Sequence, residues 1–108
     1  MKKLNPLFIE RAKKIKLFLT DVDGVMTNSQ LSFFTDEKGS LREIKHFESL
    51  DGMGMMYLAY CGLTTGIISR GWSDTLTTWA KLLGMRYLFY KTTTKTRALD
   101  YVQKELNI

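Results

Sequence analysis

Of the 108 residues in this chain, one is cysteine and one is proline. A single thiol, Cys61, cannot close an internal disulfide, so the fold needs no oxidising compartment. Its neighbours Ala59, Tyr60 and Leu63 predict a small buried core residue instead of a reactive thiol. The scarcity of proline, beside 44% apolar residues, excludes a disordered chain. No apolar run is long enough to cross a membrane, and MKKLNPLFIERAKKIK at the start is too interrupted by charge for a signal peptide. These absences predict a cytoplasmic protein that does not engage a membrane. Repeats, linkers and low-complexity segments are also lacking, and the length suits one domain around one core.

The formal net charge is +5, but no large basic cluster produces it. Small groups stand at Lys13, Lys14 and Lys16 and at Lys91, Lys95 and Arg97. That dispersal disfavours nucleic acid as a partner, while a positive field suits an enzyme that draws in an anionic substrate.

The most informative segment that is present is residues 15–27, IKLFLTDVDGVMT. Ile15, Leu17, Phe18 and Leu19 form the nearly continuous apolar run expected of a strand buried on both faces of a parallel sheet. Asp21 and Asp23 fall at its C-terminal end, where open α/β sheets place their ligands, and Gly24 permits a sharp turn there. A carboxylate pair in that position suits phosphoryl transfer, one acid attacking phosphorus and the other handling protons. Two carboxylates facing a phosphate would repel it, so the pattern calls for a hard cation such as Mg²⁺. The plain alternative is an acidic turn, since Asp and Gly dominate turns for local reasons. An EF-hand loop does not fit, because the glycine comes at the fourth position and the other ligands are missing.

Downstream, the patterning predicts strands and helices in alternation. Residues 7–15 form an amphipathic helix whose lysines make a solvated face. Two extended runs, 30–34 and 41–47, flank the turn-rich 35–40 and read as a hairpin within an insertion at 28–47. A methionine-rich helix covers 51–62 with Gly62 as its stop, a buried strand covers 64–69, and a helix covers 73–83 with Ser73 as its cap. A strand at 87–90 and a helix at 95–106, with Leu99, Val102 and Leu106 in helical spacing, complete the set. The fold class is α/β, a Rossmann-like parallel sheet with flanking helices and a β-hairpin insertion.

DVDGVMT after a hydrophobic strand resembles the first motif of the haloacid dehalogenase-like phosphatases. Residues 44–54, IKHFESLDGMG, resemble the K-x-F-x-x-x-D-G-x-G segment of the small branch that dephosphorylates 3-deoxy-D-manno-octulosonate 8-phosphate (KDO 8-phosphate). IISRG at 67–71 resembles the second motif, and Lys95 stands where the third-motif lysine is expected. The resemblance implies a Mg²⁺-dependent phosphatase acting on a phosphorylated sugar or sugar acid through an aspartyl-phosphate, with a place in lipopolysaccharide biosynthesis.

Carried onto this sequence, the resemblance makes Asp21 the nucleophile and a metal ligand. Asp23 becomes the acid and base, with its backbone carbonyl on the metal. Ser69, and backbone N–H groups near Gly24 and Gly71, would donate to phosphoryl oxygens, and Lys95 would neutralise the phosphate and the attacking carboxylate. Arg70 would bind substrate or line the cavity entrance, and Asp51 and Gly52 would shape the sugar pocket. The family also implies a homo-oligomer, a tetramer built around the hairpin, which the apolar Leu31, Phe33 and Phe34 suit.

Some positions depart from the pattern. Leu50 and Met56 stand where the branch carries basic residues, and Thr77, Thr78 and Trp79 stand where a further arginine is expected. Neither leucine nor methionine replaces the planar fork of arginine on a sugar-acid carboxylate. Lys91 replaces the glycine usual four residues before the third-motif lysine. The fourth motif, G-D-D-x-x-D after a strand, is absent, which predicts a domain incomplete at its C-terminus with the first strand left as an unpaired edge. Two readings follow: a phosphatase represented by a truncated form, or a catalytically deficient domain kept for binding or assembly.

Overall fold

The computed structural model describes residues 2–108. Among the described residues nine elements follow one another: α1 (Pro6–Lys13), β1 (Leu17–Thr20), β2 (Ser32–Thr35), β3 (Leu41–Ile44), α2 (Ser49–Tyr60), β4 (Thr64–Ile68), α3 (Asp74–Leu82), β5 (Tyr87–Phe89) and α4 (Lys95–Leu106). β1, β4 and β5 form a parallel sheet in the order β1-β4-β5, with Leu17 opposite Thr64 and Ile67 opposite Leu88. β2 and β3 make a separate antiparallel hairpin in which Phe33 faces Glu43.

Alternation along the strands divides the sheet into two faces. Ile67 and Leu88 point into a core with Leu76, Ala80 and Leu83 from the α3 segment and Met55 from α2. Gly52 lets α2 and α3 close up, since a Cβ there would lie 3.4 Å from the Trp79 ring. The opposite face carries α4, where Phe89 meets Tyr101 edge to face and Val102 is fully buried. Local chemistry sets the helix ends. Ser73 Oγ accepts the Leu76 N–H at the start of α3. Gly62, at φ +88°, ends α2: its N–H reaches the Ala59 carbonyl and the Leu63 N–H reaches that of Leu58.

Three expectations need correction. β1 is not buried on both faces: it is the sheet edge, as the absent fourth motif predicts, Phe18 is 41% exposed, and none of its four residues is fully buried. Among the described residues β1 pairs only with β4, so hydrophobicity alone could not cover it. Cys61 is exposed, because it caps α2 at a turn that faces outwards beside the 92% exposed Tyr60. α1 forms, yet buries none of its residues. With α1 and the hairpin standing off the sheet, the radius of gyration is 16.1 Å, against about 13 Å for a compact domain of this length. No helix among the described residues is long and apolar enough to cross a membrane.

Candidate active site

The C-terminal ends of the three parallel strands converge on one set of side chains. At the end of β1 the chain turns through residues 22–27, the Val22 carbonyl accepting the N–H groups of Val25, Met26 and Thr27. Val22 and Met26 are buried in the core, so the turn is anchored from beneath and the carboxylates on either side of Val22 are left on the outside. Gly24 sits at φ +81°, and a Cβ there would lie 2.6 Å from Ser29 Oγ, so no other residue fits this bend without strain.

Asp21 Oδ2 lies 2.7 Å from Lys95 Nζ, and its Oδ1 accepts the Val22 N–H at 2.7 Å. Burial pushes the Asp21 carboxyl up, but the hydrogen bonds from Lys95 and Val22 and the lysine charge outweigh it, leaving the pKa below the ordinary carboxylate value. Asp23 Oδ1 lies 2.7 Å from Lys45 Nζ, which also meets Glu43 at 2.9 Å. Burial pushes the Lys45 ammonium down, and its two carboxylate partners more than compensate, so its pKa is raised.

Ser69 follows β4 and is 1% exposed. Its N–H donates to the Phe89 carbonyl and its carbonyl accepts the Thr92 N–H, so both neighbouring segments hold it. Ser69 Oγ accepts the Gly71 N–H at 3.2 Å, and its own proton has no acceptor among the described residues. Gly71 leaves room: a Cβ there would stand 3.6 Å from Asp23 Oδ2 and 3.9 Å from Ser69 Oγ. The gap is thus bounded by a hydroxyl and a carboxylate, with the Asp21–Lys95 pair at the end of the neighbouring strand.

The backbone donors expected near Gly24 and Gly71 are already engaged. The Gly24 N–H points to Thr27 Oγ1 at 3.3 Å and that of Gly71 to Ser69, because each tight turn satisfies its own donors. Arg70 is exposed and makes no side-chain hydrogen bond or ion pair among the described residues. Asp51 lines a groove of about 410 Å³ with Phe18, Thr20 and Val25 on the flank of β1, and Gly52 serves helix packing. Lys45 is the contact that sequence reasoning missed. It belongs to the K-x-F segment, and its alternation with Phe47, which stacks on Trp79 at 3.9 Å, is the signal that it faces inwards.

For a cation, the donor set here is hard oxygen: the Asp21 carboxylate and the Asp23 carbonyl, which no hydrogen bond reaches among the described residues. No third acid, histidine or cysteine gathers with them among the described residues. This set fits Mg²⁺, which keeps several waters and needs few protein ligands.

No family model matches the chain. Solved structures do. A probable YrbI-family phosphatase from Pseudomonas syringae superposes with a TM-score of 0.82 at 42% identity, over 93% of this chain and 55% of that one. The 3-deoxy-D-manno-octulosonate 8-phosphate phosphatase of Moraxella catarrhalis, solved with magnesium ion, phosphate ion and KDO, gives 0.80 at 33% identity, over 92% and 55%. A cobalt-bound deoxy-D-mannose-octulosonate 8-phosphate phosphatase from Haemophilus influenzae gives 0.76 at 30% identity, over 89% and 54%. The chain spans about half the length of each of these proteins.

Proposed function

We infer, from a chain that belongs to the haloacid dehalogenase-like hydrolases and resembles their KDO 8-phosphate phosphatase branch, that this site hydrolyses a phosphomonoester. The observation that carries the reading is Asp21 paired with Lys95 at 2.7 Å, beside a buried serine hydroxyl with an unassigned proton. An anionic carboxylate at the mouth of a positively charged chain is a competent nucleophile for phosphorus.

Asp21 would attack and hold the phosphoryl group as an aspartyl-phosphate. Lys95 would sit against both the carboxylate and the incoming phosphate, offsetting their repulsion as a point charge. The Ser69 hydroxyl would donate a hydrogen bond to a phosphoryl oxygen. Asp23, with Oδ1 on Lys45 and Oδ2 towards the gap beside Gly71, would enter with a proton on Oδ2, give it to the departing sugar oxygen and then, as the carboxylate, take a proton from the water that cleaves the intermediate. The Asp21 carboxylate and the Asp23 carbonyl would hold Mg²⁺, which when bound supplies positive charge between the acids and the phosphate.

A phosphorylated sugar or sugar acid is the proposed substrate class, KDO 8-phosphate or a relative that makes no use of arginine at positions 50 and 56. A homo-oligomer joined through the hairpin, a cytoplasmic site of action and a place in lipopolysaccharide biosynthesis complete the proposal. The test is phosphate release from a panel of sugar phosphates with and without Mg²⁺, for the wild type and Asp21→Asn. Turnover that survives Asp21→Asn would remove Asp21 from the chemistry. Tight substrate binding with no release would favour the binding or assembly reading.

A further inference from the structure

We infer that Lys45 is a positioning residue that ties the orientation of the Asp23 carboxylate to the seating of the β2–β3 hairpin. The inference rests on the phosphatase reading and deepens it, because it names what aims the proton-handling acid.

Four observations carry it. The Lys45 side chain is 4% exposed, although lysine is among the residues least often covered. A buried ammonium persists only when paired, and here it meets Asp23 at 2.7 Å and Glu43 at 2.9 Å. Asp23 lies in the turn after β1 whereas Glu43 lies in β3 opposite Phe33, so one ammonium bridges the reaction turn and the hairpin. Two residues on, Phe47 stacks on Trp79 of α3 at 3.9 Å with the rings 12° apart, which fixes the segment that presents Lys45. The lysine is therefore held at its backbone by the core and at its tip by two carboxylates.

An acid that must deliver a proton to a leaving oxygen depends on its aim, and small misplacements cost large factors in rate. Losing Lys45 would leave Asp23 free to rotate and place two carboxylates near each other unscreened. A leaving group that needs no proton would feel little of this.

The experiment compares wild type, Lys45→Met and Lys45→Arg on KDO 8-phosphate, a poor leaving group, and on p-nitrophenyl phosphate, a good one. For Lys45→Met, kcat/KM should fall about 100-fold on the sugar phosphate and by less than about 5-fold on the aryl phosphate. Lys45→Arg should restore a substantial part of the sugar-phosphate rate. Equal losses on both substrates, or none on either, would overturn the role of Lys45 and leave the phosphatase reading standing. Asp21→Asn, assayed alongside, judges that reading separately. A melting-temperature cycle of Asp23→Asn, Lys45→Met and the double variant needs no turnover. Non-additive shifts support the bridge, and strictly additive ones overturn it.

Discussion

Lys95 brings its ammonium within 2.7 Å of the Asp21 carboxylate: Asp21 follows β1, Lys95 opens α4 after β5, and α4 comes back over the sheet, so that Lys95, Thr96 and Leu99 line one groove with Leu17 and Leu19 of β1 and Ile68 of β4. The ion pair ties the start of α4 to the end of β1, next to the end of β4, where Ser69 is buried. Both partners are more than a third exposed, so the pair contributes little to stability, within about 1 kcal/mol. Its value is in holding opposite charges at the reaction centre.

Lys95→Met should therefore separate folding from chemistry. The melting temperature should move by no more than a few degrees, whereas phosphate release should fall by about two to three orders of magnitude. Calorimetry and a phosphate-release assay on the same preparation check both halves, and a drop in stability matching the drop in rate would contradict the assignment.

The hairpin turn should be sensitive to acid. The Asp36 carboxylate accepts from Arg42 Nε and from the Lys38 and Ser40 N–H groups, each at 2.9 Å. The Arg42 hydrogen bond leads these in holding the pKa below the ordinary carboxylate value. A pKa lower in the folded than in the unfolded chain contributes stability that is present above about pH 4 and is lost as pH falls through the depressed value. Amide exchange across residues 32–44 should accelerate below that point, and Asp36→Asn should show the faster exchange without the pH step.

Lys91→Gly should stabilise the protein. Lys91 has φ +49°, in the left-handed region that costs a side-chain-bearing residue roughly 1 kcal/mol. Glycine removes that cost and gives back part of it through the entropy of the unfolded chain, for a net gain of about 0.5 kcal/mol. A urea midpoint that fell on substitution would show that the Lys91 side chain makes up the difference elsewhere.

Neighbouring residues of the central strand should respond in opposite directions. Thr65 is 1% exposed and its hydroxyl has no partner among the described residues, so Thr65→Val should gain about 1 kcal/mol. Gly66 is enclosed, with a Cβ falling 2.7 Å from the Tyr87 backbone and 2.9 Å from Leu19, so Gly66→Ala should lose about 2 kcal/mol or more. Denaturant melts of the two variants give the signs directly.

Local signals in the sequence are legible because local chemistry decides them. α4 runs over the predicted 95–106, and Ser73 caps α3 as its position before an apolar repeat implies. The carboxylates fall at the strand end because an apolar run stops there. What escaped depends on who stands next to whom. An apolar run such as 17–19 looks the same whether it has one neighbouring strand or two, so the exposed edge at Phe18 is announced by the absent fourth motif and not by the run itself. Cys61 sits among apolar residues in sequence but at an outward turn in space. Lys45 meets Asp23, which stands 22 positions away: its alternation with Phe47 marks it as facing inwards, but no spacing names its partner.

Phe47 lies against Trp79 with its ring nearly parallel, and the only other tryptophan, Trp72, lines the groove beneath Phe33 and Phe34 of the hairpin. The molecule thus carries two built-in fluorophores, one where the hairpin is rooted and one where it overhangs. Excited near 295 nm, where tryptophan alone absorbs, a Trp72→Phe protein would report through Trp79 whether the root of the hairpin is seated. A Trp79→Phe protein would report through Trp72 whether the overhang has moved. Ligand titrations could then be followed by emission alone, with no label attached and no turnover required.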